Sequence, residues 1–282
     1  MKHGSANPKS KSSMSLAIID RRNNSTVSSE PVEDSHNPQI LLAPDTAIWH
    51  YIRFDYFKEL LKNNALWLTR LDKQSDEYDG MYSEANSRQW TPTIQKLLDK
   101  AEFTVKAEKN DETQLQWTNQ ILRQRAFIHC WSIRPNESAL MWNLFVPNDS
   151  RSIAIRSTVG RLSSALEGQP VEILRLLYIP AGQPRPDWSY TAPFSAKDKA
   201  AHLHERELRV WTLLDSAEAE NADHKSISVN LKKLIGKVVV HPASSQSFRL
   251  EVRDQLKLFE IPAHIACSQL REYDLRAVMQ NH

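Results

Sequence analysis

The stretch Glu205-Arg206-Glu207-Leu208-Arg209-Val210-Trp211 constrains the fold most tightly. It opens a strand-like run, Leu208 to Leu214, and side chains alternate faces along a strand. Glu205, Glu207, Arg209 and Trp211 then share one face, and Leu208, Val210 and Thr212 share the other. Burying the apolar face lines two carboxylates and a guanidinium along the opposite one. Neighbouring carboxylates oppose each other's ionisation and an arginine beside them offsets that. Such a cluster suits acid, base or electrostatic work. The same residue types also build a structural salt bridge, which at a surface is worth only about 0–1 kcal/mol.

A strand of this kind needs partners, and the chain supplies them. Ile48 to Ile52 and Ala65 to Thr69 read as short strands around a helix carrying Phe57, Leu60 and Leu61, with Asp55 as its N-cap and Asn63-Asn64 at its end. Ala126 to Ser132, all but continuously apolar, reads as a central strand. Asn136 caps a short helix from Glu137 to Phe145, and Arg151 to Ser157 alternates as a further strand. Val159, Leu162 and Leu166 mark a short helix, Val171 to Ile179 a long strand, and 194–203 a helix leading into the Glu-Arg-Glu segment. Ile227 to Val229, Val238 to His241 and His264 to Cys267 read as strands, with a last helix on Phe248, Val252, Leu256 and Phe259. Strands and helices mix without strict alternation. The expected fold is therefore α+β, a single domain over 45–282 with a mixed, mostly antiparallel sheet flanked by helices. Residues 81–125 are expected to form a helical insertion, and the polar residues 1–44 a disordered tail dispensable for folding.

Composition excludes several function classes. With 282 residues and a formal net charge of +2, the chain lacks the strong basic footprint usual for nucleic-acid binding. Its 6 glycines form no G-x-G-x-x-G or Walker-type loop. Its 2 cysteines, Cys130 and Cys267, build no disulfide framework and no cysteine-based zinc site. No apolar run approaches the roughly 20 residues that span a bilayer, and no signal-peptide core is evident. The expectation is a cytoplasmic protein with no membrane partner.

Six short motifs, taken in order, resemble a bacterial family known as domain of unknown function 2971. Trp49-His50-Tyr51 leads to Leu66-Trp67-Leu68. Asp76-Glu77-Tyr78-Asp79-Gly80 stands where that family often has Asp-Pro-aromatic-Glu-Gly, with Glu77 replacing the proline and Asp79 the glutamate. Cys130-Trp131-Ser132 precedes Leu140-Met141-Trp142, and Glu205-Arg206-Glu207-Leu208-Arg209 fits Glu-x-Glu-x-Arg. The resemblance spans roughly residues 48–268. A more distant resemblance is to ADP-ribosyltransferase-like folds, which combine a first-strand His or Arg, a middle strand bearing Ser or Tyr, and a late Glu. It implies His50 or Arg53, Ser132 and Glu207 in those places, and NAD as the nucleotide. In that scheme a strand-end donor holds the ribose or amide, and Tyr51 or Trp131 stacks on the nicotinamide. A carboxylate then stabilises the oxocarbenium-like state as the glycosidic bond breaks.

The candidate catalytic residues are thus Glu207, Glu205 and His50. Tyr51, Arg53, Trp131, Ser132, Arg209, Trp211, Asp76 and Asp79 are the candidates for substrate binding. No metal is expected: His202 and His204 read as a helix end, and Asp76, Glu77, Asp79 and Glu84 as a solvated loop. Cys130 in its apolar run reads as a buried thiol rather than a nucleophile. The expected function is an enzyme-like domain acting on a nucleotide or nucleic-acid-linked substrate, which the resemblance links to phage or stress defence. The alternative is a non-catalytic interaction or regulatory module whose Glu-x-Glu-x-Arg strand is structural. Geometry separates the two: a shared cleft for His50, Ser132 and Glu207 favours the enzyme, and fully paired glutamates with no cleft favour the module.

Overall fold

The computed structural model describes residues 42–81, 119–180, 196–214, 216–219 and 222–270. The tail and most of the helical insertion expected from sequence lie outside these residues; 119–125 within the insertion is helical. The elements run β1 (Ala47–Arg53), α1 (Phe54–Asn63), β2 (Ala65–Arg70), β3 (Ala126–Ile133), α2 (Ala139–Phe145), β4 (Ser152–Thr158), α3 (Val159–Ala165), β5 (Glu172–Arg175), β6 (Leu177–Ile179), β7 (Ala196–Asp198), β8 (Glu207–Leu213), β9 (His224–Ser228), α4 (Leu231–Leu234), β10 (Lys237–Val240), α5 (Gln246–Leu258) and β11 (His264–Cys267). The fold is α+β, with a mixed, mostly antiparallel sheet. Its order is β11-β10-β4-β1-β3-β2-β9, with β8 also on β3 and β5 on β8. In this sheet only β10 and β11 pair in parallel. No helix among the described residues is long and apolar enough to cross a membrane.

The geometry around β3 decides the rest. β8 pairs with β3 along its length, from Ala126↔Leu213 to Ser132↔Glu207. The opposite edge of β3 is shared by two strands. β1 holds its C-terminal end through Ile48↔Ile133 and Trp49↔Ser132, and β2 holds its N-terminal end through Thr69↔Ile128 and Arg70↔Phe127. Between these two registers β1 and β2 diverge, and the sheet forks beside His129, Cys130 and Trp131.

Alternation sorts the side chains onto two faces, both of them covered. Ile48, Phe127, Leu208 and Val210 join the large core with Phe57 and Leu61 of α1, Leu162 of α3 and Phe248, Val252 and Leu256 of α5. On the other face Trp49, Tyr51, Ala154 and Val239 pack on Met141 and Trp142 of α2. Trp142, 2% exposed, meets the Tyr51 ring edge-on at 4.9 Å. Trp142→Ala should therefore cost on the order of 3–5 kcal/mol. Equilibrium denaturation checks this, and a loss under about 1 kcal/mol would mean the site collapses around the smaller residue.

Several boundaries differ from the sequence expectation. The N-cap of α1 is Arg53, not Asp55, which sits in the first turn and pairs with Lys58 at 2.9 Å. The helix ends, as expected, at Asn64, whose left-handed φ of 48° suits asparagine. The long strand expected over 171–179 breaks at Leu176. That residue is buried and its N–H goes to the Glu207 carbonyl, so β5 joins β8 while β6 pairs with β7 instead. The helix expected over 194–203 begins as β7; only Lys199–His202 is helical, followed by a tight turn, Leu203–Glu205. The helix expected from Glu137 starts at Ala139, because the Glu137 carboxylate accepts from Trp142 Nε1 and Ser268 Oγ instead.

Candidate active site at the fork of the sheet

The fork opens into a cleft of about 370 Å³ lined by Trp49, His50, Tyr51, Trp131, Ser132 and Glu207 among others. One wall is aromatic: Tyr51 stacks on Phe145 at 6.3 Å and on Trp49 at 6.4 Å. The opposite wall is acidic, from Asp76, Asp79, Glu205 and Glu207. Trp67, half-exposed and stacked on His224 at 4.2 Å, also lines the cleft.

The acidic wall is a buried network centred on Arg209, which is 0% exposed. Its Nε donates to Glu207 Oε1 at 2.8 Å and its Nη1 to Asp79 Oδ1 at 2.9 Å, and Nη2 reaches the second oxygen of each carboxylate. Lys197, also buried, places Nζ 3.0 Å from Glu205, 3.2 Å from Glu207 and 3.4 Å from Asp79. His202 bridges outward, with Nδ1 3.0 Å from Glu205 and Nε2 3.3 Å from Asp76. Four carboxylates thus meet Arg209, Lys197 and His202. Burial alone would push the Glu207 carboxyl up, but Arg209 and Lys197 overrule it and hold the group well below the usual carboxylate range. Burial would likewise lower Lys197, but Glu207, Asp79 and Glu205 raise it above an ordinary lysine. Glu207 is therefore a permanent anion near neutral pH. It can stabilise positive charge or accept from a hydroxyl, but it cannot serve as a proton donor.

Glu205 reaches this network by a route the alternation did not foresee. Strand β8 begins at Glu207, and Glu205 sits in the preceding turn rather than on the strand. Arg206 follows with a left-handed φ of 47° and reverses the chain, so Glu205 meets Lys197 from the turn. Non-glycine residues held in this region store local strain and concentrate at functional sites. The turn is tied to β3: Ser132 Oγ donates to the Glu205 carbonyl at 2.7 Å and accepts from Arg134 Nε at 3.1 Å.

The fork itself is filled by imidazoles. His50 Nδ1 lies 3.1 Å from the Cys130 carbonyl and His129 Nδ1 lies 3.0 Å from the Trp67 carbonyl. Each ring thus occupies a carbonyl in the gap where β1 and β2 part. The rings sit 4.4 Å apart. Burial lowers His50 to about 4, against a small upward pull from Cys130. Burial and the neighbouring His50 lower His129 to about 3. Both are neutral at pH 7, so the unfolded chain takes up protons first as the pH falls below about 6.5. Stability should therefore drop between about pH 6.5 and 4, by at most about 1.4 kcal/mol per pH unit for each histidine. Glu207, whose pKa is depressed, adds its own loss only below about pH 4.5. Melting temperatures at pH 7 and 5 for the wild type, His50→Gln and His129→Gln check this. A flat wild-type profile, or variants as acid-sensitive as the parent, would contradict it.

The structure brings together His50, Tyr51, Trp131, Ser132, Asp76, Asp79, Glu205 and Glu207 around one cleft, with Arg209 buried behind the acidic wall. It does not bring Arg53 or Trp211 there. Arg53 is exposed at the far end of β1 and pairs with Asp149 at 3.3 Å. Trp211 is buried on β8, opposite Ile128 and Glu172 and away from the cleft lining. Asp79 gains most from the fold: the shorter carboxylate makes a two-point contact with Arg209 across 130 positions of sequence. Cys130 is half-buried, and burial and the Glu207 charge raise its thiol well above the ordinary value, so it stays protonated. Sequence reasoning missed Lys197 and His129. Glu205 and Glu207 follow Lys197 closely in sequence, but only the fold turns them and the distant Asp79 onto its Nζ. Among the described residues no group of three or more His, Cys, Asp or Glu could hold a metal ion.

No family model and no curated protein matches this chain. Among solved structures it is similar to Thermus sp. 2.9 DarT in complex with carba-NAD+, at 15% identity over 82% of this chain and 99% of that chain, with a TM-score of 0.39. The structure of Thermus sp. 2.9 DarT in complex with ADP-ribosylated ssDNA is similar at 14% identity over 81% and 96%, with a TM-score of 0.38. That of Thermus sp. 2.9 DarT in complex with NAD+ is similar at 14% identity over 82% and 98%, with a TM-score of 0.36.

Proposed function

We propose that the fork cleft is the active site of an ADP-ribosyltransferase-like enzyme that consumes NAD and acts on a nucleotide or nucleic-acid-linked acceptor. The observation that carries this reading is that His50, Tyr51, Ser132 and Glu207, from three different strands, line the same cleft. The aromatic wall of Trp49, Tyr51 and Phe145 suits a flat heteroaromatic ring. The opposite wall holds Glu207 ionised and suits positive charge developing on a ribose as its bond to a ring nitrogen breaks. The leaving group departs with the bonding electrons, and an acceptor atom closes on the same carbon and releases its proton to solvent. Glu207 acts in this scheme as an electrostatic stabiliser and hydroxyl acceptor. His50, neutral, offers a ring nitrogen to a ribose hydroxyl.

One observation favours the second reading, a non-catalytic module. Glu205 and Glu207 are both fully engaged by cations, as a purely structural network would be. A thermal-shift titration of the full chain with NAD, ADP-ribose and ATP separates the two, since a ligand that binds only the folded state raises the melting temperature. The enzyme reading expects a shift of several degrees with NAD or ADP-ribose. No shift with any of the three at millimolar concentration sinks it.

A further inference from the structure

Two polar atoms at the fork have no role in the scheme above. Trp131 is 2% exposed, and its indole Nε1–H has no hydrogen-bond partner among the described residues. His129 donates from Nδ1 to the Trp67 carbonyl, since a carbonyl can only accept. Its Nε2 is therefore an unprotonated acceptor, and this atom too is buried without a partner among the described residues. The two rings meet edge to face with centroids 5.8 Å apart, and both residues line the cleft. His50 stands against both, 5.3 Å from the Trp131 ring, and its Nδ1 is committed in the same way to the Cys130 carbonyl. Unpaired buried donors and acceptors are costly, and native folds keep few of them. A phenylalanine at position 131 would fill similar space without that cost.

We infer that Trp131 Nε1 and His129 Nε2 form a donor–acceptor pair that reads the amide edge of a ligand, in which a carbonyl oxygen stands beside an N–H. The ligand carbonyl accepts from Trp131 and the ligand N–H donates to His129. One donor beside one neutral acceptor rejects a carboxylate, which offers two acceptors and meets the His129 lone pair with repulsion. The chemistry fits a carboxamide on an aromatic ring or the lactam edge of a nucleobase. This inference rests on the reading of the cleft as a nucleotide site, and names the part of the ligand that enters the fork.

The test uses the full chain with its tryptophan indoles labelled with ¹⁵N, giving eight indole signals. The Trp131 signal is assigned with W131F or, if that variant does not fold, by its proximity to the His129 ring. Benzamide, uracil, benzoate and NAD are titrated separately. The expected result is a saturable shift of the Trp131 N–H with benzamide, which identifies a carboxamide, or with uracil, which identifies a lactam, and none with benzoate. H129F should weaken the amide about tenfold, the scale of one lost hydrogen bond. A Trp131 signal unmoved by either amide, or moved equally by benzoate, overturns the inference. If NAD shifts other indoles while Trp131 stays still, the amide edge is wrong and the nucleotide reading stands. If the amides bind and NAD does not, the nucleotide reading fails and the amide edge stands.

Discussion

Replacing Arg209 with methionine is expected to destabilise the protein by on the order of 3–5 kcal/mol, the scale for breaking a buried ion pair from one side. The guanidinium is 0% exposed and makes two-point contacts with both Asp79 and Glu207. Removing it leaves two buried carboxylates that share one remaining cation, Lys197, at 3.4 and 3.2 Å. Such a loss is a large fraction of a typical domain's total stability of about 5–15 kcal/mol. Arg209→Lys should recover only part of it, because one ammonium cannot fork onto two carboxylates. Urea denaturation of both variants measures this. The cost reports the penalty of stranding anions, not the worth of the pair against an apolar core. A methionine variant within about 1 kcal/mol of wild type would mean that water or the neighbouring cations satisfy the carboxylates.

Replacing Glu207 with glutamine tests catalysis and architecture together. If the proposed enzyme reading holds, turnover of NAD should fall by a factor of roughly 10²–10⁴, the scale of a positioned charge in a water-poor site. On residue types alone one would expect little loss of stability, since the amide is nearly isosteric. The network changes that expectation: Glu207 binds Arg209 through both oxygens and Lys197 through one. The variant should lose roughly 1–3 kcal/mol, the range for a charged hydrogen bond. The loss stays below the Arg209 value because neutralising one of four clustered carboxylates also relieves repulsion. Turnover must therefore be measured at a temperature where the variant is fully folded. A folded variant with undiminished turnover would sink the catalytic role, and destabilisation with flat binding and activity would favour the structural module.

The alternating pattern from Leu208 onward did determine a strand with Leu208 and Val210 in the core, but not that its charged face, Glu207 and Arg209, is buried as well. The apolar run at 126–132 likewise determined a central strand, since a strand covered on both faces has no polar side to present. Glu207 and Arg209 were legible because polar residues in a strand otherwise committed to burial stand out, whereas His50 and Ser132 became candidates only through the resemblance to ADP-ribosyltransferase-like folds. The fork was not legible. It depends on β1 and β2 sharing one edge of β3 at different registers, and register between distant strands is set by packing that no local pattern records. The ion pair between Asp79 and Arg209 was hidden for a related reason. The two residues lie 130 positions apart, and an ion pair's geometry is decided by which backbones the core brings together. Local alternation thus chose which side chains turn from the core, and tertiary packing alone chose which of them meet, because Coulomb and hydrogen-bond energies act over a few ångströms of space and not along the chain.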